Sequence, residues 1–471
     1  MPTHKTDILV MGGGPGGYAA AFRAADLGFD VTIVDNDERL GGTCLLRGCI
    51  PSKALLHVAA VLSETREAEK LGITFGKPRI DLDRVRGFAT GVIDKLTSGL
   101  SGLARQRKVT HIRGRAEFGS SQRVKIQGST EFDGVAFTYA IVATGSRPSH
   151  LPMFDLGSNR IMDSTAALEL EEIPENLLVV GGGYIGLELG TVYAELGSTV
   201  SVVEMTDGLL PGADRDLVAP LQKRLGTLFD RLMLKTAVRK VVLKDDQVAV
   251  TLDAGGRDGV SEQIYDRLLV SIGRTPNSDT IGLRNTNVER DERGFIVIDE
   301  QQRTTDDRIF AIGDVAGGGL AHRAAHEGRV AAEVLAGHSS AFEKVVPAVV
   351  FTDPEIAWVG LTETEATAAR RSVEVAKFPW AASGRAASLG RSDGLTKLIL
   401  EPGTERVLGV GIVGPGAGDL IAEGTLAIEM AAVATDVAET VHPHPTLSES
   451  VGLAAEVFKG TVTDLYVPKR K

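Results

Sequence analysis

The sequence predicts an α/β protein: two βαβ units of one pattern, each opening a parallel sheet, followed by a mixed α+β domain. Three observations predict it. Residues 8–35 and 177–204 align without a gap and are identical at 11 of 28 positions. Each copy reads apolar strand, Gly-x-Gly-x-x-Gly, helix, second strand and acid, with 23 residues from the first glycine to the acid. Glycine fills 55 of 471 positions, about 22 more than an ordinary chain would carry. The length itself suggests about three domains.

The first unit is ILVMGGGPGG…VTIVD. Gly12 permits the tight turn out of the strand, Gly14 lets backbone approach a pyrophosphate, and Gly17 lets the helix pack close to the sheet. The helix N-terminus then offers unpaired N–H groups to phosphate. Asp35 stands where a carboxylate accepts hydrogen bonds from an adenosine ribose. In the second unit Gly181, Gly183, Gly186 and Glu204 take the same places. An acid at 204 favours NAD over NADP, because a 2′-phosphate would meet a carboxylate. These Rossmann-like units could hold two nicotinamide dinucleotides or one FAD and one NAD(P). Only the second option gives electrons a route to the cysteines.

Three further segments run a buried strand into a glycine turn. They are YAIVATGSRP (139–148) with Gly145, RLLVSIGRTPN (267–277) with Gly273, and RIFAIGDVAGGGLAH (308–322) with Gly313-Asp314. After about residue 345 nucleotide signals stop and strands precede helices. The expected domains are 1–148 with 275–345 for FAD, 149–274 for NAD, and 346–471 as a C-terminal interface domain.

Hydrophobic residues at 43%, charged residues at 24% and a net charge of −11 describe a globular chain. That charge disfavours nucleic acid and anionic membrane as partners. No apolar run reaches about 18 residues, so no membrane-spanning helix is expected. The start MPTHKTDILV has no signal-peptide pattern, which points to the cytoplasm; a processed mitochondrial form would look the same. The basic tail VPKRK reads as solvated. No metal site is expected.

The two cysteines, Cys44 and Cys49, are five residues apart. On an ideal helix that spacing separates Cα atoms by about 8.6 Å. A disulfide needs about 4.4–6.8 Å. The segment therefore cannot be undistorted helix when oxidised. Gly48 and Pro51 suit an irregular first turn, and a helix N-terminus favours a thiolate.

The segment GGTCLLRGCIPSK (41–53), with HPHPTLSE (442–449), resembles the flavoprotein disulfide reductases, and the branch of them that oxidises protein-bound dihydrolipoyl groups with NAD⁺. The resemblance implies FAD in the first unit, through Gly12, Gly14, Gly17 and Asp35. It places Thr43 and Lys53 beside the flavin, Asp314 on its ribityl chain, Ala321 near its ring, and Gly114 and Gly145 along the cofactor. It implies NAD in the second unit, with Val238 and Gly273 lining that site. Cys44 becomes the exchange thiol and Cys49 the thiol next to the flavin. Lys53 and Glu188 become a pair near the flavin's reactive nitrogen.

HPHP holds two histidines that composition cannot separate. The family pattern, with the base directly before Pro-Thr-x-x-Glu, selects His444, oriented by Glu449. It also implies a homodimer in which this base reaches the other subunit's disulfide. The further partner would be a lipoyl-bearing subunit of a 2-oxoacid dehydrogenase or glycine-cleavage complex. A reductase of another disulfide, such as glutathione, is the alternative, and Glu204 counts against it. Leu46-Arg47 departs from the family pattern, and Arg47 is expected to face solvent.

Overall fold

The computed structural model describes residues 1–255 and 259–466; the basic run 467–471 lies outside them. Strand β1 (Thr3–Met11), helix α1 (Pro15–Asp26) and strand β2 (Val31–Asp35) form the first βαβ unit. Ile8, Leu9, Val10 and Met11 are all buried, as a strand covered on both faces requires. β2 runs parallel to β1, with Ile8 opposite Val31 and Met11 opposite Val34. On the other side β1 pairs in parallel with Gly134–Val142, and that strand pairs with Ile309–Ala311. One seven-stranded sheet thus joins residues from both sides of the second repeat.

The second repeat builds its own five-stranded sheet, parallel throughout, in the order 231–233, 199–203, 176–180, 267–270, 161–162. An antiparallel meander of 237–244, 247–253 and 260–265 lies beside it. A short ribbon links the two units, with Ser146–Pro148 antiparallel to Arg274–Pro276. The last domain is a five-stranded antiparallel sheet packed with helices Ala417–Glu429, Ala434–Glu439 and Glu449–Lys459.

A buried ion cluster fastens this last domain to the second unit. Lys397 is 1% exposed, and its Nζ lies 2.6 Å from Asp214, 2.8 Å from Asp216 and 3.2 Å from Glu363. Burial alone would raise the Asp214 carboxyl, but Lys397 and the amides of Glu363 and Thr364 outweigh it and hold it at about 2.

Helices α2 (Gly42–Arg47) and α3 (Cys49–Glu67) carry the cysteine segment. By length and composition the run Gly42–Leu71 is apolar enough to cross a membrane. In the fold it is interrupted at Gly48, and α3 packs on helix α4 (Leu82–Gln106) and on the second-repeat helix Tyr184–Leu196.

Candidate active site

The first and last glycines of each loop are crowded by backbone. Gly12 and Gly181 adopt φ of 109° and 110°. A Cβ there would lie 2.3 Å from the Ala143 carbonyl oxygen and 2.5 Å from that of Ser271. A Cβ on Gly17 would lie 1.8 Å from the Gly12 oxygen, and on Gly186 2.4 Å from the Gly181 oxygen. Gly14 and Gly183 open the two helices, and no side chain among the described residues caps either. Their first N–H groups are therefore available to a phosphate.

The two acids are held alike. Asp35 accepts hydrogen bonds from the Gly13 amide and, at 2.7 Å, from the Asp37 amide. Glu204 accepts from the Gly182 and Thr206 amides, both at 2.7 Å. Burial pushes the Asp35 carboxyl up, against those two amides.

Gly145 and Gly273 have φ of 68° and 118°. Their carbonyls accept from the amides of Asn277 and Ser149 and brace the linking ribbon. Gly114 donates its N–H to the Asp35 carbonyl at 2.8 Å. Its Cβ would come within 2.4 Å of Ile126, so packing alone requires glycine there. Val238 packs on the apolar cluster of Val180, Val203, Val250 and Leu268.

Asp314 accepts from Ser146 Oγ at 2.5 Å and lies 3.9 Å from Arg274. Its turn is held by buried Glu327, which accepts from the Gly313 amide at 2.7 Å. Ala321 is the first residue of the helix Ala321–Leu335 that packs against α1. Ser146, Arg274 and Glu327 were not legible as site residues, since each acts through a partner distant in sequence.

The cysteine segment breaks at Gly48 (φ −148°, ψ −114°), so the irregularity is an interruption between two helices and not a distorted first turn. A Cβ on Gly48 would sit 2.8 Å from the Thr43 carbonyl oxygen. Thr43 lies in the first turn of α2, half-buried Cys44 follows it, and exposed Cys49 opens α3. Both are free thiols in this structure. The adjacent Cys49 thiol and partial desolvation push the Cys44 thiol up. The adjacent Cys44 thiol, helped by Lys53 and opposed by desolvation, lowers Cys49 to about 7. Of the two, Cys49 is therefore the readier to carry the thiolate.

Lys53 Nζ lies 2.8 Å from Glu188, which is almost fully buried. Glu188 also accepts the Phe351 amide at 3.0 Å, and Lys53 stands 4.5 Å over the Phe351 ring. Phe351, from the last domain, was missed because nothing in its local sequence marks it. Desolvation pushes the Tyr184 hydroxyl up, with Arg274 opposing and Asp314, Cys49 and Glu188 adding to it. Desolvation likewise raises the Tyr18 hydroxyl, and Cys44 adds to it. Arg47 does not simply face solvent: it pairs with Asp37, one strand-end from Asp35.

The histidines separate clearly. His444 Nδ1 is 2.9 Å from Glu449, whose other oxygen accepts the Thr446 amide at 2.7 Å. Burial would raise the Glu449 carboxyl, but the Thr446 amide and His444 lower it overall. His444 is 78% exposed, and its Nε2 has no hydrogen-bond partner among the described residues. His442 has both ring nitrogens engaged. Within one chain no hydrogen bond joins His444 to either cysteine.

Two dinucleotide folds flanking a reactive thiol pair define a nucleotide-dependent disulfide oxidoreductase, whose glycine loops, bare helix ends and paired acids fit FAD and NAD. Comparison with known proteins specifies it further. Residues 6–328 match the pyridine nucleotide-disulphide oxidoreductase family, and residues 346–455 match its dimerisation domain. The chain belongs to that family. It is 50% identical to a dihydrolipoyl dehydrogenase of Vibrio cholerae, over 99% of this chain and 98% of that one. It is 51% identical to one of Haemophilus influenzae, with the same coverage. The solved structure of LpdA from Mycobacterium tuberculosis superposes with TM-score 0.87 at 28% identity, covering 96% of this chain and 99% of that one.

Proposed function

We propose that this chain oxidises protein-bound dihydrolipoyl groups to the disulfide and reduces NAD⁺ to NADH. The observation that carries the reading is the break at Gly48, which sets Cys44 in one helix and Cys49 at the start of the next, on a segment that lies against Gly14 of the first glycine loop. The near-full-length identity to dihydrolipoyl dehydrogenases supports the substrate, and Glu204 supports NAD.

Residues 1–148 with 275–345 form the FAD domain in this reading, supported by the sheet that β1 and Ile309–Ala311 share through Gly134–Val142. Residues 149–274 form the NAD domain and 346–471 the interface domain. FAD would be held by Gly12, Gly14, Gly17, Asp35, Thr43, Gly114, Gly145, Asp314 and Ala321. NAD would be held by Gly181, Gly183, Gly186, Glu204, Val238 and Gly273. When bound, FAD accepts two electrons from the thiols and passes them to NAD⁺ as hydride.

The chain's own residues handle protons and sulfur. His444 takes a proton from the substrate dithiol through its free Nε2 while Glu449 holds Nδ1. The resulting thiolate attacks Cys44 of the oxidised pair, the Cys44–Cys49 bond breaks, and Cys49 leaves as thiolate. The second substrate thiol then attacks the substrate sulfur of the mixed disulfide, and Cys44 leaves. His444 gives its proton to the departing Cys44 and takes that of the second thiol, so lipoyl disulfide, the Cys44 thiol, the Cys49 thiolate and protonated His444 result. The low-lying Cys49 thiol suits the leaving group, and Lys53 stabilises its charge. In this reading the Lys53–Glu188 pair would lie near the flavin's reactive nitrogen, on the nicotinamide side.

An exposed His444 without a thiol partner in its own chain supports a homodimer with shared sites. Leu426, Met430 and Val441, all exposed in the last domain, offer such an interface apolar surface. The lipoyl group would come from a separate subunit of a 2-oxoacid dehydrogenase or glycine-cleavage complex. Bacterial relatives support a cytoplasmic location.

The test compares three steady-state assays of the purified protein: dihydrolipoamide with NAD⁺, dihydrolipoamide with NADP⁺, and glutathione disulfide with NADPH. Robust turnover is expected in the first. Turnover confined to the third would overturn the substrate assignment.

A further inference from the structure

The segment carrying His444, residues 440–448, has no helix or strand of its own. Something else must fix the base in place, and His442 is where the structure fastens it. Its Nδ1 lies 2.9 Å from the Thr440 carbonyl and its Nε2 2.7 Å from Glu423 Oε1. The ring is 10% exposed, against 78% for His444.

The ring's seat is specific. It rests on Gly452, where a Cβ would come within 2.8 Å of the imidazole. Gly452 is three residues beyond Glu449 on the helix Glu449–Lys459, so both face the same side. That helix offers a carboxylate to His444 and bare backbone to His442. Glu423 comes from the other side, on the helix Ala417–Glu429. Near its start that helix is pinned by the Gly418 amide on Glu355 at 2.9 Å, and at its end Glu429 accepts the Val345 amide at 3.0 Å. The segment is therefore clamped between two anchored helices.

We infer that His442 and Glu423 are a positioning pair for His444: their bond sets where the base stands. The inference rests on the reading of His444 as the dithiol base. One proline separates the two histidines, so a displaced His442 ring displaces His444. A general base must stay within hydrogen-bond reach of its proton, and misplacement by about 1 Å can cost about a hundredfold in rate.

The experiment uses the full-length, FAD-loaded protein. Glu423→Ala and His442→Asn should each lower kcat for dihydrolipoamide oxidation by about tenfold or more. The KM for NAD⁺ and the rate of NADH-driven reduction of ferricyanide, which needs no dithiol base, should stay within about twofold. Glu423→Gln keeps an acceptor in place and should recover kcat to within about threefold. The double variant should lose no more than either single one, because both remove one contact. His444→Ala, run alongside, reports on the base itself. If it abolishes turnover while Glu423→Ala and His442→Asn keep wild-type kcat, the positioning role is wrong and the base reading stands. If His444→Ala also keeps turnover, both fall. A loss shared equally by the ferricyanide rate, or no recovery in Glu423→Gln, also overturns the inference. Glu423 is 35% exposed, so its variants carry the test even if His442→Asn does not fold.

Discussion

The two glycine loops begin from one 28-residue pattern and end in different surroundings. At Gly12 and Gly181 the backbone is nearly superposable, with φ of 109° and 110°. At Gly14 and Gly183 it still agrees, with φ of −74° and −80°, but the surroundings differ. The cysteine segment lies on the first loop: a Cβ on Gly42 would stand 2.5 Å from the Gly14 Cα. A later helix also closes on α1, with a Cβ on Gly328 2.5 Å from the Gly16 carbonyl oxygen. Around Gly183 a Cβ would meet nothing within 4 Å, and neighbouring Tyr184 is 43% exposed. One motif makes an enclosed site where later chain folds onto it and an open site where none does. Enclosure slows departure far more than arrival, which suits a resident group in the first loop and an exchanging one in the second.

The largest expected effect breaks the enclosed loop. In Gly17→Ala the new methyl meets the Gly12 oxygen, so a loss of more than about 3 kcal/mol and of bound flavin is expected. Gly183→Ala should change stability by less than about 0.5 kcal/mol and keep flavin, while raising the KM for NAD⁺. Flavin absorbance and thermal melts check both; equal flavin loss in the two variants would erase the difference between the loops.

Gly42→Ala comes next. Its φ of 57° and its contact with Gly14 predict partial loss of flavin on gel filtration. NAD⁺ affinity in the remaining loaded fraction should not change. Within the open loop, Glu204→Ala should cut the preference for NAD⁺ over NADP⁺ in kcat/KM by about tenfold or more. An unchanged ratio would remove Glu204 from nucleotide selection.

The smallest effect is electrostatic. Cys49 is lowered to about 7, so its thiolate forms as pH rises through 7 and is lost as pH falls below it. Alkylation of the reduced protein by iodoacetamide should follow that midpoint. Lys53→Met should move it upward, since the cation favours the thiolate. Arg47→Ala should leave it in place, because Arg47 is spent on Asp37. A wild-type midpoint near that of a free thiol, about 8.5, would deny Cys44 and Lys53 their influence.

Much of this site was legible because it is local. The spacing of Gly12, Gly14, Gly17 and Asp35 states what the backbone must do within one βαβ unit, and the structure gives Gly12 and Gly17 steric reasons. The resemblance brought Lys53 and Glu188 together on paper, and they meet at 2.8 Å. Gly48 signalled an irregular first turn, and the structure makes it instead a break between two helices, with Thr43 packed against it. Phe351, Glu327 and Ser146 stayed hidden, since each serves a partner on another element. Val238 looked like a site residue and packs on an apolar cluster.

By itself the sequence determined the two nucleotide folds, the thiol pair and the acids that end each second strand, because those follow from backbone sterics over short spans. Composition could not tell His442 from His444, and only the resemblance to a family pattern selected His444; nothing in the sequence told a covered loop from an open one. Tertiary structure supplied the difference between the loops and the different environments of the two histidines. Which imidazole keeps a free nitrogen, and which glycine keeps free space, depends on residues such as Glu423, Gly452 and Gly42 arriving from elsewhere in the chain.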